Sequence, residues 1–399
     1  MSRPKTLNPP IFTNAALTGL VTVALPLELD AKGASKAFIT LYFVGTAITT
    51  ASLNVVLGRH ISRIRSVRTW ISGLNAISAA GLIVITVVPL SWMLALTGPM
   101  VMASGMAFSL HVSVVDRGED QNRTRTASGV RMTYVLGYVA GLGSYSAAVQ
   151  VQEHLASWLM PTYAAAALAV ANACAAWATR GVAAAATVHT APGTGPDTGV
   201  RRFSPLLACA ALSVTLARAA DSLRQVYLPL YSVHVHISKA WIAALFAISS
   251  TTEVLILYGI GRIGSRTGPY AGMQIVCGTG AVAFGLMAIG GDLPLLLLSQ
   301  VLYASFGAGF QSFGMLLVAD VLRSGLGKAA AVYTALSQLG SVVGLASPLL
   351  LPGYTARIFL VAALFCLVAA SLATGRHGRE GHPARQRKPD ESTVHYPSR

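Results

Sequence analysis

The chain has 399 residues, of which 11 % are charged and 54 % hydrophobic, with a mean hydropathy of +0.60. A soluble domain carries about 25 % charged residues, so a soluble enzyme, a disordered chain and a disulfide scaffold are all excluded, and an all-α integral membrane protein remains. The net charge of +15 would suggest nucleic acid in a soluble protein; in a membrane protein it must first be placed relative to the bilayer.

A bilayer core takes about 20 apolar residues per helix. Twelve segments qualify, at roughly 10–29, 37–58, 69–88, 90–115, 130–149, 157–179, 204–232, 239–261, 271–291, 293–318, 329–352 and 355–375. The first follows Arg3 and Lys5 with no small-residue cleavage site, so it is expected to be retained as a helix. Residues 1–179 form one six-helix bundle and 204–375 a second. Between them, 180–203 is rich in Gly, Pro and Thr and reads as a linker on the side of the termini; 376–399 is a polar tail.

Twelve spans put both termini on one side. The opposite side carries only Lys32, Lys36, Lys239 and Arg357. Arg218 and Arg224 lie inside a span, and the rest of the 29 Lys and Arg sit with the termini. The positive-inside rule makes that side cytoplasmic. The expected location is the cell inner (plasma) membrane, multi-pass, with both termini cytoplasmic, and no nucleic-acid partner is expected.

A shift of 203 residues registers the two halves without a gap. Leu25-Pro26-Leu27 falls on Leu228-Pro229-Leu230, and Ser35-Lys36-Ala37 on Ser238-Lys239-Ala240. Gly58-Arg59-x-x-Ser62-Arg63 falls on Gly261-Arg262-x-x-Ser265-Arg266, and Gly137, Gly141, Leu142 and Ser144 on Gly340, Gly344, Leu345 and Ser347. Six spans separate the copies, so the repeat is parallel, an arrangement that places a substrate site between two rocking halves.

With these features the chain resembles the major facilitator superfamily. Its loop signature, G-x-x-x-D-R/K-x-G, has altered counterparts in residues 58–65 and 261–268, both with Ser in place of Asp. Within the superfamily the chain is most similar to the bacterial sugar efflux transporters. The similar stretches are Tyr227-Leu228-Pro229-Leu230, Glu253, Gly314-Met315-Leu316 with Asp320, Gly327 and Ala329-Ala330, and the Val130-Arg131 pair. The resemblance implies two parallel six-helix repeats in the major facilitator fold, and export from the cytoplasm by alternating access.

Charges inside a span cost about 2.5–3.5 kcal/mol each on insertion scales, so each is a candidate. Glu253, deep in the eighth span, is the first candidate for a proton-coupling carboxylate, with Asp221 second. Arg218, Asp221, Arg224 and Gln225 share the seventh span at helical spacings that set Arg218 and Gln225 beside Asp221. Guanidinium, carboxylate and amide groups suit a polyhydroxylated or anionic ligand. Arg218, Arg224, Gln225, Arg131, Asn14 and Gln338 are therefore the substrate-binding candidates. Asp116 and Asp320, at repeat-related helix ends, are gating candidates with Arg59, Arg63, Arg262 and Arg266.

Other polar groups have blander readings. Asn75 and His111 read as interhelical hydrogen-bond partners. His234-x-His236 is too small a set for zinc, and the four Cys, all in apolar stretches, read as packing residues. The Gly-x-x-x-Gly pairs in the fifth and eleventh spans read as close helix contacts. No nucleotide-binding G-x-x-x-x-G-K-S/T occurs, and neither cofactor nor metal is expected.

The expected function is a secondary transporter exporting a small polar solute, with a sugar as the leading case, by proton antiport. Multidrug or natural-product efflux is the alternative. A polytopic membrane enzyme, the alternative of another class, would need a reactive cluster at one membrane face. The expected partners are a small-molecule substrate, protons and the lipid bilayer, with the chain as a monomer.

Overall fold

The computed structural model describes residues 9–60, 67–106, 123–154, 161–178, 205–322 and 326–373. Twelve helical segments are present among them. The first six are α1 (Pro9–Ala31), α2 (Lys36–His60), α3 (Val67–Val87), α4 (Thr97–Val101), α5 (Arg123–His154) and α6 (Pro161–Ala178). The second half opens with α7 (Pro205–His234) and the long helix Lys239–Ile289. That helix bends at Gly268, whose φ of 76° and ψ of 172° suit glycine and which precedes Pro269. Its arms are α8 (239–267) and α9 (269–289). Then come α10 (Leu293–Leu322), α11 (Leu326–Ala346) and α12 (Arg357–Leu372).

The fold class is the expected one, with local differences. The second copy of the loop signature is helical up to Gly268, so the connection there is a bend within one helix. The fourth span opens as a 3-10 turn, Trp92–Leu96, before Thr97–Val101. Thr97 Oγ1 donates back to Leu94 O at 2.6 Å, and Gly98 lies against Thr46 of α2, where a Cβ would have no room. The fifth helix outruns its expected span at both ends.

The 203-residue repeat extends to backbone detail. α1 ends on Gly33 with φ 76°: Gly33 N donates to Asp30 O and Ala34 N to Leu29 O. α7 ends on the equivalent residue, His236, with φ 62°: His236 N donates to Val233 O and Ile237 N to Ser232 O. Both are left-handed helix C-caps. His236 holds this conformation at about 1–2 kcal/mol relative to glycine. His234 Nδ1 lies 2.9 Å from Leu230 O, so this pair closes a helix end.

Within each half the first helix packs on the fifth through paired glycines. Gly137 and Gly141 of α5 lie against the carbonyls of Phe12 and Ala16; Gly340 and Gly344 of α11 lie against those of Thr215 and Ala219. These are the same contacts, 203 residues apart. The halves meet where α1 faces α7, α2 faces α11, and α5 faces the Lys239–Ile289 helix. One hydrophobic core runs through both halves, from Leu17 and Leu20 to Phe359 and Cys366. All four cysteines are free thiols.

Candidate functional site

The buried polar centre is built on α7. Asp221, 2 % exposed, accepts hydrogen bonds from Arg218 Nη1, from Gln225 Nε2 at 3.0 Å and from the Tyr303 hydroxyl of α10. The Arg218–Asp221 ion pair is the i,i+3 contact that the sequence spacing predicts. Arg218 also donates through Nε to Ser341 Oγ of α11 at 3.1 Å, and Ser341 is bonded to Ser222 at 2.9 Å.

Arg224 lies one turn further along α7 and is 3 % exposed. Its Nε donates to Gln300 Oε1 of α10 at 3.0 Å, its Nη2 to Ser249 Oγ of α8 at 2.9 Å, and Nη2 also reaches Gln300. Its guanidinium carbon sits 3.7 Å from the Tyr303 ring centroid and 4.5 Å from that of Phe246. Among the described residues it forms no ion pair. Neutral acceptors and two aromatic faces therefore hold this buried cation, and cation–π attraction grows when the cation is desolvated. Tyr303 touches two of the three charges of α7: its hydroxyl binds Asp221 and its ring covers Arg224.

Glu253 is half-buried on α8, one turn from Ser249 on the same face. It lies within electrostatic reach of Tyr134 of α5 and Tyr303 of α10. Tyr134 and Tyr138 set their hydroxyls against Thr18 and Thr22 of α1, and Tyr138 is also in reach of Arg224 and Asp221. Thr18 and Thr22 are the repeat equivalents of Asp221 and Gln225. The second half thus carries the charges, and the first half presents hydroxyls to them.

The structure brings Arg218, Asp221, Arg224 and Gln225 into one network. Gln338 is half-buried on α11, one turn before Ser341. Asn14 stands apart from the network: it is fully buried in the first half, donates to Ser104 O at 2.9 Å, and its Oδ1 has no hydrogen-bond partner among the described residues. Asn75 accepts from Asn172 at 2.9 Å, which also accepts from Thr13 at 3.0 Å. Asp320 is exposed near the end of α10, facing Tyr270 of α9. Arg63, His111 and Asp116 lie outside the described residues, as do the side chains of Arg59, Arg131, Arg262 and Arg266.

Sequence reasoning missed Tyr303, Gln300, Ser249, Ser341, Tyr134 and Tyr138. A Gln and a Tyr three apart in the apolar α10 were a legible signal for one shared polar face.

A second polar assembly joins the halves at the face opposite the termini. Lys36 Nζ, at the start of α2, donates to Leu351 O at 2.8 Å and Gly353 O at 2.6 Å, in the loop before α12. It lies 5.9 Å from the Tyr227 ring and 5.8 Å from the Tyr354 ring. The Thr40 and Tyr227 hydroxyls are hydrogen-bonded across the same seam, and Tyr227 donates to Leu345 O at 3.1 Å.

No family model matches the chain, and no curated protein sequence matches it significantly. Solved structures do match its fold. A mutant of the nucleoside transporter NupG superposes with a TM-score of 0.77 at 17 % identity, over 92 % of this chain and 98 % of that one. A bacterial homologue of the human lysosomal transporter Spinster, in an inward-facing and unoccupied conformation, gives 0.69 at 13 % identity, over 92 % and 94 %. A bacterial metal transporter gives 0.65 at 14 % identity, over 92 % and 96 %. The chain therefore has the fold of these membrane transporters.

Proposed function

We propose that the chain is a secondary transporter that exports a small polar solute from the cytoplasm by alternating access, in exchange for protons. The observation that carries this reading is the α7 network. Arg218, Asp221, Arg224 and Gln225 are drawn together with partners from α8, α10 and α11, opposite the tyrosines of α5. Charges so deep in a span mark a substrate or ion path by default, and the interface of parallel repeats is where such sites lie.

In this reading Glu253 exchanges the proton and Asp221 transmits its state through Tyr303. Gln225 and Arg218, both only partly buried, meet hydroxyl or anionic groups of the solute, with Arg131, Gln338 and Asn14 as outlying candidates. Arg224 sits behind Tyr303 and sets the local field. At the face of the termini, Asp116 and Asp320 with Arg59, Arg63, Arg262 and Arg266 form the gate. The protein sits in the plasma membrane as a monomer, with both termini cytoplasmic. A sugar is the leading solute, because carboxylate, amide and guanidinium groups suit hydroxyls. The aromatic faces of Phe246 and Tyr303 favour a second reading, an amphipathic drug or natural product.

Flux into proteoliposomes against a solute panel, with and without a pH gradient, tests the reading. Glu253→Gln is expected to abolish the response to the gradient while solute exchange persists; an unchanged response removes Glu253 as the proton site. Tyr303→Phe keeps the ring over Arg224 and loses the bond to Asp221. It is expected to slow transport about tenfold, as loss of a hydrogen bond to a charged group worth about 1.5 kcal/mol would, with little change in melting temperature. Thermal shifts with sugars against apolar cations separate the two solute classes.

A further inference from the structure

We infer that Lys36 is a latch: its ammonium group holds the two halves together at the face opposite the termini, and that face opens only when Lys36 leaves the α11–α12 loop. The inference rests on the alternating-access reading above, and it names the contact that must break in each cycle.

Local rules do not explain a lysine at this position. It occupies the first turn of α2, where the helix dipole disfavours a positive charge. It also lies on the face to which the sequence assigns only Lys32, Lys36, Lys239 and Arg357. What it gains is all on the other half. Both carbonyls that accept its hydrogen bonds belong to the 351–356 loop, and both rings beside it, Tyr227 and Tyr354, belong to the second half. Gly353, with φ 61°, turns that loop. Burial pushes the Tyr354 phenol upward, so it stays a neutral ring beside the ammonium.

The repeat supplies a weaker counterpart. Lys239 is the residue 203 positions on, at the start of α8, and it acts electrostatically on Glu28 of α1. Each half thus sends the lysine that opens its second helix toward the other half. Lys36 makes direct hydrogen bonds to carbonyls; Lys239 is exposed and acts at longer range. Lys32, close by, stays within its own half, 3.9 Å from Glu28 and bonded to Thr86 O and Val88 O. It is a natural control.

The test is a spin-label distance across the seam, in the full chain in lipid nanodiscs, with Cys174, Cys209, Cys277 and Cys366 replaced by Ala. Labels at Ser35→Cys and Leu350→Cys flank the contact. With Lys36 present a short distance is expected to dominate. Lys36→Met keeps the stem and removes the charge; it should shift the short-to-long ratio by about tenfold, a usual size for coupling between two conformations. Lys36→Gln serves if the Met variant does not fold. Tyr227→Phe, which loses the Thr40 and Leu345 bonds, should shift the ratio in the same direction by less. Lys32→Met should leave it unchanged. A long population that responds to Tyr227→Phe or to solute but not to either Lys36 variant overturns the latch and spares the transport reading. A single short distance in every variant and with every solute overturns both.

Discussion

Asp221→Asn is expected to abolish transport and to lower stability markedly. Three donors converge on this one carboxylate: Arg218, Gln225 and Tyr303. An Asn side chain offers one oxygen and turns an N–H toward a donor. It also leaves Arg218 without its counter-ion in the middle of the bundle. Breaking a buried ion pair from one side costs roughly 3–5 kcal/mol. The lower end applies, because Arg218 keeps 27 % of its side chain exposed. Melting in detergent reads this loss directly. The double variant Arg218→Met with Asp221→Asn separates structure from function. Removing both charges should restore most of the stability, while flux in proteoliposomes stays at background. Full transport by the single variant would make the α7 network a structural brace only.

The fold was legible because a membrane chain has few options. Scarce charge points to the class, and apolar length to the helices. The 203-residue register then carries through to the C-caps at Gly33 and His236 and to the glycine contacts of α5 and α11. What could not be read was how helices begin and bend. The fourth span opens on a 3-10 turn, and just beyond it Gly98 meets Thr46 of α2, a contact between helices. The helical continuation through 261–267 depends on where Gly268 takes up its positive φ.

The site divides in the same way. Arg218, Asp221 and Gln225 pair along one helix, so their spacing suffices to predict their contacts. Arg224 has its partners on α8 and α10, and a Ser or a Gln in an apolar run does not announce which helix it faces. The asymmetry of the halves was in plain view, since Thr18 and Thr22 stand where Asp221 and Gln225 stand 203 residues on. It gains meaning only once α5 is seen to place Tyr134 and Tyr138 between them. Lys36 was legible only as a repeated Ser-Lys-Ala, because its acceptors are backbone carbonyls, which leave no trace in side-chain pattern.

Gly344→Ala is expected to be the most damaging methyl-sized change in the second half. A Cβ at Gly344 would stand 2.0 Å from Ala219 O, and at Gly340 2.3 Å from Thr215 O and 2.9 Å from Arg218 Cβ. The obstacle is the backbone of α7, which no rotamer change can clear, so α11 and α7 must separate. Overpacking costs about 1–3 kcal/mol where side chains can yield; here the upper end is expected. The repeat provides the control, since Gly141→Ala would stand 1.9 Å from Ala16 O in the first half. Both variants should melt lower by similar amounts. They should differ in flux per folded molecule. Gly344→Ala pushes on the turn of α7 that carries Arg218 and Asp221, and transport should fall beyond the loss of folded protein. Gly141→Ala pushes on α1, which carries no charge at the equivalent positions, and the molecules that fold should lose less of their transport. Equal specific flux in the two variants would show that the α7 charges tolerate displacement, and would move the site away from them.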